Sequence, residues 1–134
     1  MGMYTGLRGK VKLKPEVEEL MCYWLYADDT FSEEYNYDTW LFIGSKLDNT
    51  KVLNFADDSR ANFIPRGSIC YMPNDWWHEN SISLGDTWNF CCSLKNYNGT
   101  IQKFIDLLPE IAVSWDLEEL YEEWNESVFH KSGE

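Results

Sequence analysis

The sequence predicts a single domain of the α+β class, with a mainly antiparallel sheet and two helices on one face. The chain has 134 residues, of which 44% are hydrophobic and 16% aromatic, and this is enough for one hydrophobic core. Stretches in which apolar and polar residues alternate, the period of a half-buried strand, are separated by stretches with helical spacing. No apolar run approaches the ~20 residues that a membrane helix needs, so no membrane segment is expected.

The first strand is predicted from "TGLRGKVKLKP". Its cations stand at every second position, and these are Arg8, Lys10, Lys12 and Lys14. Apolar residues and glycine alternate with them, so one face of the strand is expected to be buried and the other to carry a row of positive charges. Pro15 suits the first turn of a helix. The apolar residues after it recur at helical spacing: Val17, Leu20, Met21, Trp24 and Leu25.

The middle of the chain gives weaker signals. Residues 28–58 mix acidic and aromatic residues without a clean period, so we expect mostly loop, with a short strand or helical turn around Trp40–Ile43. Residues 61–73 hold two short apolar runs split by a turn signal at 65–67. Residues 74–86 are expected to form a polar loop that exposes Trp76 and Trp77. Residues 87–97 alternate strictly and predict a strand that pairs with the run before it.

The C-terminal third is expected to contain a helix and a closing strand. Thr100 is the predicted cap of a helix that reaches residue 115 and kinks at Pro109. Residues 116–130 fit either a helix or a strand, and we favour a strand from Tyr121 onward because the sheet otherwise has too few strands. The resulting order, β-α-β-β-α-β, is similar to the ferredoxin-like (split βαβ) arrangement, in which the first and last strands are neighbours.

This arrangement offers a structural explanation for the cations of the first strand. They would lie beside carboxylates of the last strand, either Glu118, Glu122 and Glu126 or Glu119 and Glu123, depending on the register. Each such cross-strand pair contributes about 0.2–1 kcal/mol. The alternative is that the cations bind a phosphate-bearing partner.

The charge of the chain is uneven. It carries 23 Asp and Glu against 11 Lys and Arg, a formal net charge of −12. Residues 1–14 hold four cations and no acid, so the rest of the chain holds 7 cations and 23 acids, a net charge of −16. Such a surface repels nucleic acid, and it suits a basic protein partner. Direct nucleic-acid binding is therefore not expected.

Residues with the potential for catalysis do not form a recognised motif. The two histidines, His78 and His130, lack zinc-ligand spacing, and no glycine-rich phosphate loop is present. Cys91 or Cys92 with His78 could form a nucleophile and base, but no local pattern supports this. The four cysteines show no disulfide framework, which is typical of reduced thiols in a cytoplasmic protein. We therefore predict a protein that is not an enzyme and needs no metal or cofactor.

Two sets of residues are candidates for binding. The first suits a basic protein partner and consists of Glu118, Glu119, Glu122, Glu123, Glu126, Trp76 and Trp77. The second suits the phosphate and base of a small nucleotide and consists of Arg8, Lys10, Lys12, Arg60, Arg66, Trp76 and Trp77. The competing explanation for Arg60 and Arg66 is pairing with nearby aspartates, with the two tryptophans packed at a sheet edge.

Five short motifs resemble a family of small phage and prophage proteins. They are "MYTGLR" at 3–8, the "R..FIP.G" pattern at 60–67, "YMP" at 71–73, "SLKNY" at 93–97 and "YEEW" at 121–124. Residues 28–58 fall outside the resemblance. The resemblance implies a phage accessory protein acting in the cytoplasm of a bacterial host, and it supplies no catalytic residues.

These observations lead to three functional hypotheses. The leading hypothesis is an anti-defence protein of the anti-CRISPR type, which inhibits a host defence or nucleic-acid-binding protein by direct binding through an acidic surface. The second is a sponge that sequesters a small nucleotide immune signal, and the third is a small nucleotide hydrolase. A structural role in phage assembly is the remaining alternative. The sequence does not predict the oligomeric state.

Overall fold

The computed structural model describes residues 4–26, 39–58, 61, 64, 76, 79–82, 85–96 and 99–132. Within these ranges the chain forms five strands and four helices. In chain order they are β1 (Tyr4–Leu13), α1 (Pro15–Tyr26), α2 (Thr39–Leu47), α3 (Thr50–Ala56), β2 (Glu79–Ser81), β3 (Trp88–Lys95), α4 (Thr100–Ile111), β4 (Ala112–Tyr121) and β5 (Val128–Lys131). The α+β class and the antiparallel sheet are confirmed.

The strands form one sheet in the order β2-β3-β1-β4-β5, and every neighbouring pair is antiparallel. The order of elements along the chain differs from the predicted β-α-β-β-α-β. Two further helices, α2 and α3, stand between α1 and β2, and a fifth strand follows β4. The prediction of two helices is therefore wrong for the described part of the chain.

The alternating patterns in β1 and β3 are confirmed. Leu7, Val11 and Leu13 of β1 are buried, and Arg8 and Lys10 lie on the opposite face. In β3 the buried face is made by the four residues that the alternation predicts: Trp88, Phe90, Cys92 and Leu94. β1 therefore lies at the centre of the sheet, with its apolar face toward the core and its charged face outward.

The four helices pack against the apolar face of the sheet. A single core cluster joins this face to residues of α1, α2, α3 and α4. Phe104 of α4 lies at its centre, with ring centroids of Trp40, Phe55, Trp88 and Phe90 within 5.7–6.4 Å. We call the opposite face, which carries Arg8 and Lys10, the outer face of the sheet.

The segment predicted to be loop contains α2 and α3. Trp40 and Ile43 of α2 are buried in the core, at helical spacing. Asn49 begins α3 because its side-chain Oδ1 accepts a hydrogen bond from the backbone N–H of Val52 at 3.1 Å. The cap at Asn49 separates the two helices, which explains why no single period runs through residues 39–56.

The boundaries near the C-terminus also differ from the prediction. Helix α4 ends at Ile111, not at residue 115, and β4 begins at the next residue. Pro109 lies in the last turn of α4, two residues before the helix ends. Gly99, with φ of 68°, is the N-cap in place of Thr100, and the side chain of Asn96 accepts from the N–H of Ile101 at 3.0 Å. Strand β4 therefore ends at Tyr121, where the predicted closing strand begins, and the last strand, β5, starts only at Val128.

None of the described helices is long and apolar enough to cross a membrane.

Candidate functional site

The outer face of the sheet carries two rows of side chains that run across the strands. In the first row Cys91 of β3 lies opposite Arg8, which lies opposite Glu118 of β4, and Phe129 of β5 follows. The second row runs from β3 to β5 in the same way and consists of Asn89, Lys10, Asp116 and Lys131. Each row therefore places a cation of β1 beside a carboxylate of β4.

Arg8 is the best-connected residue of the outer face. Its Nε donates to Oε1 of Glu118 at 2.9 Å, so the predicted pairing of a first-strand cation with a carboxylate across the sheet is confirmed. Its guanidinium carbon lies 3.8 Å from the ring centroid of Trp76, a stacked cation–π arrangement. Trp76 is only 7% exposed and packs against Cys91 and Leu120. The prediction that Trp76 is exposed is therefore wrong, because Arg8 and the outer face cover its ring.

Glu118 connects Arg8 to the turn between β4 and β5. Its Oε2 accepts a hydrogen bond from the hydroxyl of Ser127 at 2.6 Å, while Oε1 accepts from Arg8. Burial opposes ionisation of this carboxyl, but the hydrogen bonds from Ser127 and Arg8 and the charge of Arg8 outweigh it and lower the pKa of Glu118. Glu118 is thus held ionised and fixed in position.

This lowered pKa leads to a pH prediction. A group whose pKa is lower in the folded state stabilises the fold above its unfolded pKa, and loses that contribution as the pH falls. Replacement of Glu118 by glutamine is expected to cost about 1 kcal/mol at pH 7. The difference in free energy of unfolding between the wild-type protein and this variant should shrink as the pH falls below 4.5, the ordinary pKa of a glutamate. Urea unfolding at several pH values measures this difference. A difference that stays constant down to pH 3 would contradict this account.

The other cations of the first strand behave differently. Lys12 turns to α1, where its Nζ lies 3.5 Å from Oε1 of Glu18, so it is not part of the outer-face site. Glu18 also accepts from the N–H of Gly85 at 3.2 Å. Lys10 is exposed and lies opposite Asp116 in the register, without an ion pair to any described residue. Of the predicted ligand-binding cations, Arg8 and Lys10 are therefore brought together on one face.

An open depression of about 500 Å³ lies on the outer face. Its charged lining residues are Arg8, Lys10, Asp116 and Glu118. Phe129, 60% exposed on the edge strand β5, forms an aromatic part of the lining. Sequence reasoning missed Phe129 and Asp116 as site residues, although the β-branched and aromatic pair in "SVFHK" is a strand signal that could have suggested β5.

The predicted acidic cluster is divided among three places. Glu118 lies on the outer face, whereas Glu119 lies on the opposite face of the sheet, where its Oε1 is 2.9 Å from Nε2 of His130. Glu122, Glu123 and Glu126 are exposed in the turn between β4 and β5. The cluster is therefore not one surface, since adjacent residues of a strand point to opposite faces.

The turn between β4 and β5 nevertheless concentrates negative charge around an aromatic ring. We call Glu122, Glu123, Trp124 and Glu126 the acidic tip. The N–H of Trp124 donates to the carbonyl of Tyr121 at 2.9 Å, and the two rings meet edge to face at 5.9 Å. Trp124 remains 41% exposed. The sequence motif "YEEW" contains this Trp, but the prediction assigned the aromatic role to Trp76 and Trp77.

The acidic tip is tied to the first strand. The N–H of Tyr4 donates to Oε1 of Glu122 at 2.6 Å, and the N–H of Glu122 donates to the carbonyl of Tyr4 at 3.2 Å. Together with the hydrogen bond from Ser127 to Glu118, these contacts hold both ends of the turn. The acidic tip is therefore fixed in position relative to strands β1 and β4.

The remaining predicted site residues, Trp77, Arg60 and Arg66, lie outside the described residues, as do His78 and Cys70. Among the residues that the structure describes, no group of three or more His, Cys, Asp or Glu side chains is placed to hold a metal ion.

Comparison of the chain with protein-family models, with curated proteins and with solved structures gives no match.

Proposed function

We propose that the protein binds a basic partner protein through the acidic tip, and that it acts as a phage accessory protein that inhibits a host defence or nucleic-acid-binding protein. The observation that carries this proposal is the tip itself. It brings three exposed carboxylates and a half-exposed tryptophan together on a turn that is held at both ends.

The charge of the tip supports a basic partner. Residues 116–129 contain no Lys or Arg, so no cation within the turn neutralises Glu122, Glu123 or Glu126. Carboxylates spaced along a turn can pair with the lysines and arginines with which a nucleic-acid-binding protein contacts phosphates. Such a contact steers association and weakens with salt.

Trp124 supports a protein interface in particular. Tryptophan is enriched among the residues that contribute most to binding between proteins, because its large ring is desolvated at little cost in conformational entropy. Here Tyr121 and the backbone bond to Tyr121 fix the ring before any partner arrives. A pre-positioned side chain loses less entropy on binding.

The test compares three forms of the protein as tagged baits in cells of a susceptible bacterial host. The double variant Glu123→Lys/Glu126→Lys and the variant Trp124→Ala are each expected to lower the affinity for the captured partner at least about tenfold. The partner's nucleic-acid binding or nuclease activity should fall when the wild-type protein is added, and salt should weaken the complex.

The matched control is Glu16→Lys/Glu19→Lys, which makes the same change of charge on exposed positions of α1. It should keep the affinity of the wild-type protein. If the control weakens binding as much as the tip variant, net charge and not the tip determines binding. If neither tip variant changes the affinity, the proposal is wrong.

A second candidate function is the sequestration of a small nucleotide signal. The observation that favours it is the depression on the outer face, where Arg8 is stacked on Trp76 and Lys10 lies next to Arg8 on the same face. This function would use a surface different from the acidic tip, so the two candidates can be tested separately.

A further inference from the structure

We infer that the depression on the outer face binds a ligand with a single phosphate group attached to a planar ring, which is the chemistry of a nucleoside monophosphate. The inference deepens the second candidate function by naming the ligand class and its contacts. It does not depend on the acidic tip.

Within the described part of the chain, the depression has phosphate donors without another partner. The Nε of Arg8 is engaged by Glu118, but a guanidinium has five N–H donors, and its two Nη groups have no hydrogen bond to a described residue. Lys10 is exposed in the neighbouring row and likewise forms no ion pair there. Arg8 and Lys10 are two residues apart on β1, so they point to the same face.

Trp76 prepares Arg8 for this role. Its ring lies 3.8 Å from the guanidinium carbon, and the salt bridge to Glu118 fixes the Nε edge. These two contacts set the plane of the guanidinium, whose fork geometry matches phosphate oxygens. A phosphate therefore meets a group that is already oriented, and less entropy is lost when it binds.

The outer face is also less negative than the rest of the molecule. In the two rows that run from β3 to β5, three cations, Arg8, Lys10 and Lys131, stand beside two acids, Asp116 and Glu118. The whole chain has a net charge of −12. An anion approaching the protein is therefore favoured at this face, since opposite charge steers association.

The two acids limit the charge of the ligand. Asp116 lies between Lys10 and Lys131, and Glu118 lies between Arg8 and Phe129. A ligand with several phosphates, or a nucleic-acid strand, would place phosphates against these carboxylates. One phosphate paired with Arg8 and Lys10 meets less of that repulsion than several phosphates do, so a monophosphate fits better than a polyanion.

The planar part of the ligand has a partner at the edge of the depression. Phe129 lies two strands from Arg8, a separation of roughly 10 Å at the usual spacing of strands. Its ring is 60% exposed, and stacking of a base on an aromatic ring is a common mode of nucleotide recognition. The volume of about 500 Å³ lies in the range of small-molecule sites.

The experiment is isothermal titration calorimetry of the intact protein. The probes are the four ribonucleoside 5′-monophosphates, the corresponding nucleosides, inorganic phosphate and a short single-stranded DNA. At least one monophosphate should bind more tightly than its nucleoside, than phosphate and than the DNA. Lys10→Gln should lower its affinity about tenfold. Phe129→Ala should lower its affinity while leaving that of phosphate unchanged.

The variant Glu118→Gln is expected to change the affinity in the opposite direction to Lys10→Gln and Phe129→Ala. A damaged fold could not cause such an increase. The substitution removes the negative charge that repels the phosphate, while the amide oxygen of glutamine can still accept from Nε of Arg8 and keep the guanidinium oriented, so the affinity for the monophosphate should rise, by about tenfold. The control for Lys10→Gln is Lys46→Gln, which removes one positive charge from helix α2 behind the sheet and should leave the affinity unchanged.

Three results would overturn the inference: no heat from any monophosphate at millimolar concentration, tighter binding of the DNA than of every monophosphate, or affinities that Lys10→Gln and Phe129→Ala leave unchanged. The variant Glu123→Lys/Glu126→Lys separates the two proposals, because it should lose the protein partner and keep the affinity for the monophosphate.

Discussion

Replacing Phe104 with alanine is expected to lower the free energy of unfolding by about 3–5 kcal/mol, the usual cost of removing a fully buried phenylalanine. Its side chain has no exposed surface, and four aromatic rings surround it, those of Trp40, Phe55, Trp88 and Phe90. These rings come from two helices and one strand. The cavity cannot close without moving elements that are each held by other contacts, so the loss should lie near the top of the range.

The measurement is urea unfolding followed by tryptophan fluorescence and circular dichroism. Phe129→Ala is the matched control, because it deletes the same side chain from the exposed edge strand β5 and should cost less than about 1 kcal/mol. Equal losses in the two variants would mean that Phe104 does not lie at the centre of the core. Phe104→Leu should recover part of the stability, since it fills most of the cavity.

The strands β1 and β3 could be predicted from the sequence because their pattern is local. In both, alternate residues face a core that helices cover, and a one-residue shift would place charged or polar side chains there. The apolar positions that the alternation predicts, Leu7, Val11 and Leu13 of β1 and the four of β3, are all buried. β1 has 10 residues and β3 has 8, which is long enough to recognise a pattern that repeats every second residue.

The region around Ala112 could not be assigned from local pattern. The stretch "EIAVSWDLEELY" fits a helix by propensity and spacing, and helix α4 runs directly into β4 without a loop. Pairing with β1 decides the outcome, since β4 lies opposite β1 from Leu13 to Thr5. Such pairing joins residues that are 99 to 116 positions apart, from Leu13 with Ala112 to Thr5 with Tyr121, and no sequence window contains both.

The candidate site, like the strands, could be predicted from the sequence only in part. That Arg8 would pair with a carboxylate of a late strand followed from the charges and the proposed neighbours. The identity of that carboxylate as Glu118 required the register, which a bulge between Lys12 and Leu13 modifies. The burial of Trp76 beneath Arg8 required knowledge of a contact between distant parts of the chain. Sequence reasoning identified types of residue, and the fold determined which of them meet.

Gly9 is the second position where a large loss of stability is expected. It lies in the middle of β1, with φ of +156°, opposite Phe90 on one side and Leu117 on the other. A Cβ at this position would collide with the carbonyl oxygen of Asp116, and it would lie 2.8 Å from both Cα and Cδ2 of Leu117. Gly9→Ala is expected to lower the free energy of unfolding by about 3 kcal/mol, because β1 and β4 must separate to admit the methyl group.

The control for Gly9 is Gly85→Ala, which separates the two causes of the loss. Gly85 also has a positive φ, of +84°, but a Cβ there has no atom within 4 Å. Its substitution should cost about 1 kcal/mol, from backbone conformation alone. A similar loss in both variants, measured by urea unfolding, would contradict a collision with β4. Gly9 lies between Arg8 and Lys10, so the separation of β1 from β4 should also weaken the pairing of Arg8 with Glu118. Any affinity of the outer face for a nucleoside monophosphate should therefore change in Gly9→Ala. It should stay the same in Gly85→Ala.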